Sequence, residues 1–134
     1  MIIIFLLIGA ILLYIGFFSK DAVINANKGI ELSIESVGDS SIDYNVEISL
    51  KNTGNKLAMV SITGEVYISE LYSATGEEMT KVLNYKYIEI EPGQTKNLNL
   101  GTFTYYDGWH YVVKVHIGWN GGSIELSKML VPSP

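Results

Sequence analysis

Between residues 42 and 50 the side chains alternate without a fault: Ile42, Tyr44, Val46, Ile48 and Leu50 against Asp43, Asn45, Glu47 and Ser49. A period of two admits one backbone, an extended strand with one side in a core and the other in water. The same rhythm runs through the rest of the chain. Ile30, Leu32 and Ile34 oppose Glu31, Ser33 and Glu35, and residues 57–72 are rich in β-branched side chains around Gly64, a candidate bulge or close approach. Residues 81–90, 95–103, 109–119 and 123–131 continue it, with Leu98 and Leu100 inward in the second and Ile124, Leu126 and Met129 or Leu130 inward in the last. Between these runs stand turn sequences: GDSS at 38–41, NTGN at 52–55 with Gly54 free to take a positive φ, SATGEE at 73–78, EPGQ at 91–94 in the pattern of a type II turn, and NGG at 120–122. The expectation is an all-β domain over residues 29–134, with about seven strands in two antiparallel sheets packed face to face.

The amino-terminal eighteen residues do not share this rhythm. They carry no charge, and residues 2–18 as a helix span roughly 26 Å, enough for a short membrane crossing. Three readings are open: a retained signal anchor, a cleaved signal peptide, and a helix bundled with copies of itself in a filament core. The expected one is a transmembrane-type α-helix over 1–19, followed by a short stalk over 20–28. Nothing basic precedes Ile2, and a small-x-small cleavage pattern is poor around Ala22 to Ala26. In a bundle, Gly9, Ala10 and Gly16 are the small residues that let helices approach. The implied partners of residues 1–18 are the lipid bilayer or neighbouring helices. Lys20 and Lys28 follow the run, so the positive-inside rule taken alone puts the domain inside. A lysine-poor β domain is of a kind found outside, and the outer side of the cell membrane, or an extracellular filament, is the expected location.

Composition narrows the function classes. The chain has no cysteine, which excludes disulfides and thiol catalysis, and its net charge is -5 with lysine as its only strongly basic residue. That is not the footprint of a nucleic-acid binder.

Three segments in order, SLKNTGN at 49–55, IEPGQTKNLNL at 90–100 and GWHYVVKV at 108–115, resemble the CARDB-like, immunoglobulin-like modules of prokaryotic surface proteins. The resemblance covers residues 29–131 and implies an immunoglobulin-like sandwich that makes contacts in the cell envelope. Asp107, Tyr111 and Val113 are similar to the tyrosine corner of such sandwiches, with Val113 where antibody domains carry a cysteine. The corner implies a buried Tyr111 ring whose hydroxyl returns to a backbone group. In layout, an apolar helix before a β-sandwich is similar to archaeal pilins, archaellins and accessory subunits of the archaellum motor.

No nucleophile elbow, zinc-protease helix or phosphate loop is present, and no enzyme activity, cofactor or metal is expected. His110 and His116 share a parity on one strand but stand six residues apart, roughly 20 Å, too far to share a metal. Glu77 and Glu78, with Asp39 and Asp43 elsewhere, lack calcium-loop spacing. The candidate contact loop is Tyr105, Tyr106, Asp107 and Trp109, because aromatic side chains are enriched at protein interfaces. The expected role is protein–protein contact in the envelope or a surface-filament complex, with a homo-oligomer among its forms. A filament subunit and a carbohydrate- or ligand-binding module using Trp109 or Tyr105 are the alternatives.

Overall fold

The alternation is realised as strand pairing throughout the computed structural model, which describes residues 21–70 and 78–130. Nine strands are present there: β1 (Ile24–Ala26), β2 (Glu31–Val37), β3 (Ser41–Asn52), β4 (Ala58–Glu70), β5 (Glu78–Val82), β6 (Lys86–Ile90), β7 (Thr95–Tyr106), β8 (Trp109–Trp119) and β9 (Gly122–Leu130). Every pairing is antiparallel. In one sheet β3 is flanked by β7 on one side and by β1 and β2, end to end, on the other. In the second, β4 is flanked by β8 and then β9, and on its other side by β5 and β6, end to end. The nine strands therefore fill a three-lane and a four-lane sheet. The sequence expectation of about seven strands counted lanes, two of which are interrupted.

The core lies between the sheets. Val46, Ile48 and Leu50 of β3, Val60, Ile62 and Val66 of β4, and Tyr111, Val113, Val115 and Ile117 of β8 are all buried. Those of β3 and β8 are the inward positions that alternation predicts; those of β4 come from a segment read only as rich in β-branched residues. Ile34 departs from its expected place: it keeps the parity of Leu32, opposite Tyr44, yet is 59% exposed. It sits far along an edge lane, beyond the buried cluster. In β9, Leu130 packs on the core and Met129 faces out.

Two parity breaks have backbone causes. In β7 the core-facing residues pass from Leu98 and Leu100 to Phe103 and Tyr105, an odd step. The β3–β7 register slips there by one residue, and Gly101 takes a φ of 105° while its N–H donates to Asn99 Oδ1 at 2.8 Å. One inserted residue turns the rest of the strand over. At the other break, the β5–β6 lane leaves β4 between Val82 and Lys86. Leu83 turns into the core over Gly64, and its N–H donates to the Gly64 carbonyl at 2.8 Å. Gly64 is thus a close-approach glycine.

The strand directions give the sandwich two distinct ends. Residues 21–23, 53–57, 91–94 and 120–121 gather at the near end, and residues 38–40 and 107–108 at the far end. Asn52 organises the near end. Fully buried, it accepts N–H bonds at Oδ1 from Val23 (3.2 Å) and Gly54 (2.9 Å). Its amide donates to the Lys56 carbonyl (2.7 Å) and the Ile90 carbonyl (2.9 Å). Its own backbone bonds Gly93 and Gln94 of the β6–β7 turn. That turn is type II as expected: Gln94 N–H donates to the Glu91 carbonyl at 3.0 Å, and Gly93 has a φ of 80°. The NTG and PG segments, distant in sequence, meet at one side chain.

Two near-end expectations are corrected. Of the expected stalk over 20–28, residues 22–26 belong to the sandwich: Ala22 and Ile24 are buried, and β1 pairs with the end of β3. The short period-two run at 22, 24 and 26 is what seats it. Gly54 does not adopt a positive φ, a conformation held by Gly93, Gly101 and Gly108. It is needed for space instead, because a Cβ there would meet the Asp21 carbonyl and stand 2.6 Å from Val23 N.

The apolar run over 1–19, with Gly9, Ala10 and Gly16, lies outside the described residues. Among the described residues no helix is long and apolar enough to cross a membrane.

Candidate functional site

The far-end loop divides its residues between core and solvent. Past the Gly101 bulge, odd positions of β7 point inward, so Tyr105 is 9% exposed and packs on Tyr111 and Tyr44, ring centroids 5.0 and 6.3 Å away. Tyr105 is therefore a core residue and drops out of the expected contact loop. Tyr106 is 53% and Trp109 37% exposed, and Asp107 is exposed with them. Gly108 makes the turn with a φ of 87°, and Asp107 N–H donates to the Ser40 carbonyl at 3.1 Å, tying the β7–β8 turn to the β2–β3 turn.

This turn carries the chain from the three-lane sheet to the four-lane sheet. Tyr111 closes the corner: its ring is buried, and its hydroxyl accepts the Tyr106 N–H at 3.2 Å. Burial raises the hydroxyl pKa of both Tyr105 and Tyr111 above the ordinary tyrosine value; at Tyr111 the bond from Tyr106 opposes the shift. The sign of the consequence follows. Above about pH 10 an unfolded tyrosine ionises while these two hold their protons, so the unfolded chain binds fewer protons and stability falls as pH rises. Thermal melts from about pH 9 to about pH 11 should show that fall, and Tyr105→Phe should remove part of it. A wild-type midpoint unchanged over that span would contradict the assignment.

The two tryptophans stand at opposite ends of β8. Trp119 is half-buried at the near end, its Nε1 donating to the Ala22 carbonyl at 2.7 Å, so its role is packing. Trp109 opens the strand at the far end. His116 lies on the outward face with Nε2 2.9 Å from Glu65 and Nδ1 3.2 Å from Glu125. On the three-lane sheet Asp43 accepts hydrogen bonds from Thr104 (2.6 Å) and Ser36 (2.7 Å), which hold its carboxyl below the usual range. Among the described residues no three or more His, Asp or Glu side chains come together as a metal site.

Sequence reading missed a second surface. On the outward side of the four-lane sheet Met79, Tyr67, Val112 and Met129 stand directly opposite one another across four strands. The local signal was the run Tyr111-Val112-Val113, apolar on both parities.

No family model matches the sequence, and no curated protein does. Solved structures share its fold. A Bacteroides uniformis beta-glucuronidase is similar over 77% of this chain with a TM-score of 0.61 and 13% identity. A beta-glucuronidase from glycoside hydrolase family 2 is similar over 78% with a TM-score of 0.58 and 15% identity. This chain spans only 13% and 11% of those two chains, so the likeness is to one part of each. At such identities it shows a common β-sandwich and nothing about activity.

Proposed function

We propose that the chain is a non-enzymatic, membrane-anchored, extracytoplasmic sandwich that makes protein–protein contacts in the cell envelope or in a surface-filament complex. One observation carries this reading: residue 21, three residues beyond the apolar run, lies at the near end, and the exposed Tyr106, Asp107 and Trp109 lie at the far end. A chain held in a bilayer through residues 1–18 presents that aromatic loop away from the lipid, where a partner meets it. The finer fold assignment, an immunoglobulin-like sandwich, belongs to the same proposal. It is supported by the seven-lane arrangement and by Tyr111 bonding back to Tyr106 across a sheet-to-sheet corner.

The test is fractionation with protease accessibility. The full-length chain should sediment with membranes and resist carbonate extraction. Protease added to intact cells should remove the sandwich. Recovery of the full-length chain as a soluble cytosolic monomer rules out the tether. Recovery in sheared surface filaments moves the function to that of a structural subunit.

A further inference from the structure

The outward faces of the two sheets are chemically unlike. The three-lane sheet presents Asp43, Asn45, Glu47 and Ser49 with Asn97 and Asn99 beside them. The four-lane sheet carries a continuous apolar row, Met79–Tyr67–Val112–Met129, one residue from each lane. Met79 is 54% and Met129 61% exposed, while Val112, closed in by its neighbours, is 6% exposed. Apolar side chains adjoining across a whole sheet are of the kind that marks an interface. In the next row towards the near end Glu65 stands opposite Lys114, whose ammonium lies 4.7 Å from the Tyr67 ring centre.

The geometry points to a second copy of this chain as the occupant of this face. A twofold contact must be self-complementary, each patch meeting its own image. Consider an axis parallel to the strands, between β4 and β8. It exchanges the β4 lane with β8 and the β5 lane with β9. Met79 then meets Met129 of the second copy, Tyr67 meets Val112, and Glu65 meets Lys114, each twice. The row is near-palindromic and the charge pair beside it has the alternation that the rotation needs. An axis along the row instead sets Lys114 against His110 of the second copy, so the two basic side chains meet and the Glu65–Lys114 complementarity between copies is lost. Stacked sheets twist by about 30° relative to one another, which moves the central Glu65–Lys114 positions least. Four lanes at about 4.8 Å and some nine residues at about 3.3 Å give roughly 600 Å² of flat face. Side-chain relief brings this towards the roughly 800 Å² per partner of a standard interface. The inference goes beyond the proposed function, since it holds on either side of a membrane.

The chain has no cysteine, so introduced thiols report alone. Within one chain positions 79 and 129 are three lanes apart, about 14 Å, whereas facing residues of two stacked sheets stand about 10 Å apart, beyond a direct disulfide but within the span of a short bismaleimide. The full-length Met79→Cys/Met129→Cys variant, treated with such a bismaleimide in whole-cell extract, should run as a closed covalent dimer. Either single variant, and a control pair on the other sheet, Ser33→Cys/Asn97→Cys, should stay monomeric. Lys114→Glu should cut the dimer yield about tenfold, and adding Glu65→Lys should restore it. Several results overturn the proposal: a monomer for the double variant, a ladder of higher species, equal yield from Met79→Cys alone, or equal yield from the control pair. Because crosslinking is read in whole extract, its failure is separate from failure of the tether. A monomer whose thiols at positions 79 and 129 resist labelling overturns the second copy as occupant and shows that something else covers the face.

Discussion

Asn52→Ala is expected to destabilise the full-length chain by about 3 kcal/mol or more, lowering its thermal midpoint by about 10–20 °C. The carboxamide has two acceptor sites and two donor hydrogens, and all four are used: Val23 and Gly54 N–H on the oxygen, Lys56 and Ile90 carbonyls on the nitrogen. Alanine leaves two donors and two acceptors facing a hole. Each costs about 1–3 kcal/mol where water does not replace the partner, and Asn52 is fully buried. The loss also spreads, because Asn52 joins β1, the β3–β4 turn and the β6–β7 turn. Amide exchange should therefore quicken at Val23 and Gly54 together rather than at one of them. Asn52→Asp is the sharper probe. It keeps the shape and the accepting oxygen but turns the donor end into a second acceptor against the Lys56 and Ile90 carbonyls. It should be at least as damaging as alanine. Melts in mild detergent decide the matter, and a midpoint for Asn52→Ala within about 3 °C of wild type would show that the hub holds little together.

The sandwich was legible because alternation is local. Ile42 to Leu50 declares its inner face within one strand, and Tyr111, Val113, Val115 and Ile117 are buried as their spacing says. What was not legible depends on register between strands. Tyr105 reads as a loop aromatic until the Gly101 bulge reverses the parity of β7 and buries it. Asn52 reads as turn chemistry for its own NTG segment. Its partners Val23 and Ile90 lie 29 and 38 residues away, and only the lane order brings them in. Residues 22–26 look like a stalk because three alternating residues are too few to announce a strand; pairing with β3 makes them one. The outward apolar row is the extreme case. Each strand contributes one residue to it; only Val112, within its apolar run, hints at it locally, and the row exists only once β5, β4, β8 and β9 are set side by side.

Gly64→Val should destabilise by about 2–3 kcal/mol, against the ordinary expectation for a mid-strand glycine, where valine improves strand propensity by up to about 1 kcal/mol. Conformational freedom is not the reason, since Gly64 is not among the positive-φ glycines. Space is: a Cβ at position 64 would stand 2.8 Å from Leu83 Cδ1 and 3.2 Å from Leu83 Cβ. Rotating Leu83 relieves the first contact but not the second. Its backbone is fixed as well, with Leu83 N–H on the Gly64 carbonyl at 2.8 Å and Asn84 N–H on the Leu100 carbonyl at 2.9 Å in the opposite sheet. Leu83 fills the gap where the β5–β6 lane breaks, and it is buried there. Leu83→Ala alone should cost about 2–4 kcal/mol through the cavity it leaves. In the double variant the valine methyls occupy part of that cavity. The two losses should then fall short of their sum by about 1–2 kcal/mol in a double-mutant cycle measured by urea unfolding. Strict additivity would mean that the two side chains do not compete for one volume, and Gly64 would then need another explanation than the close passage of Leu83.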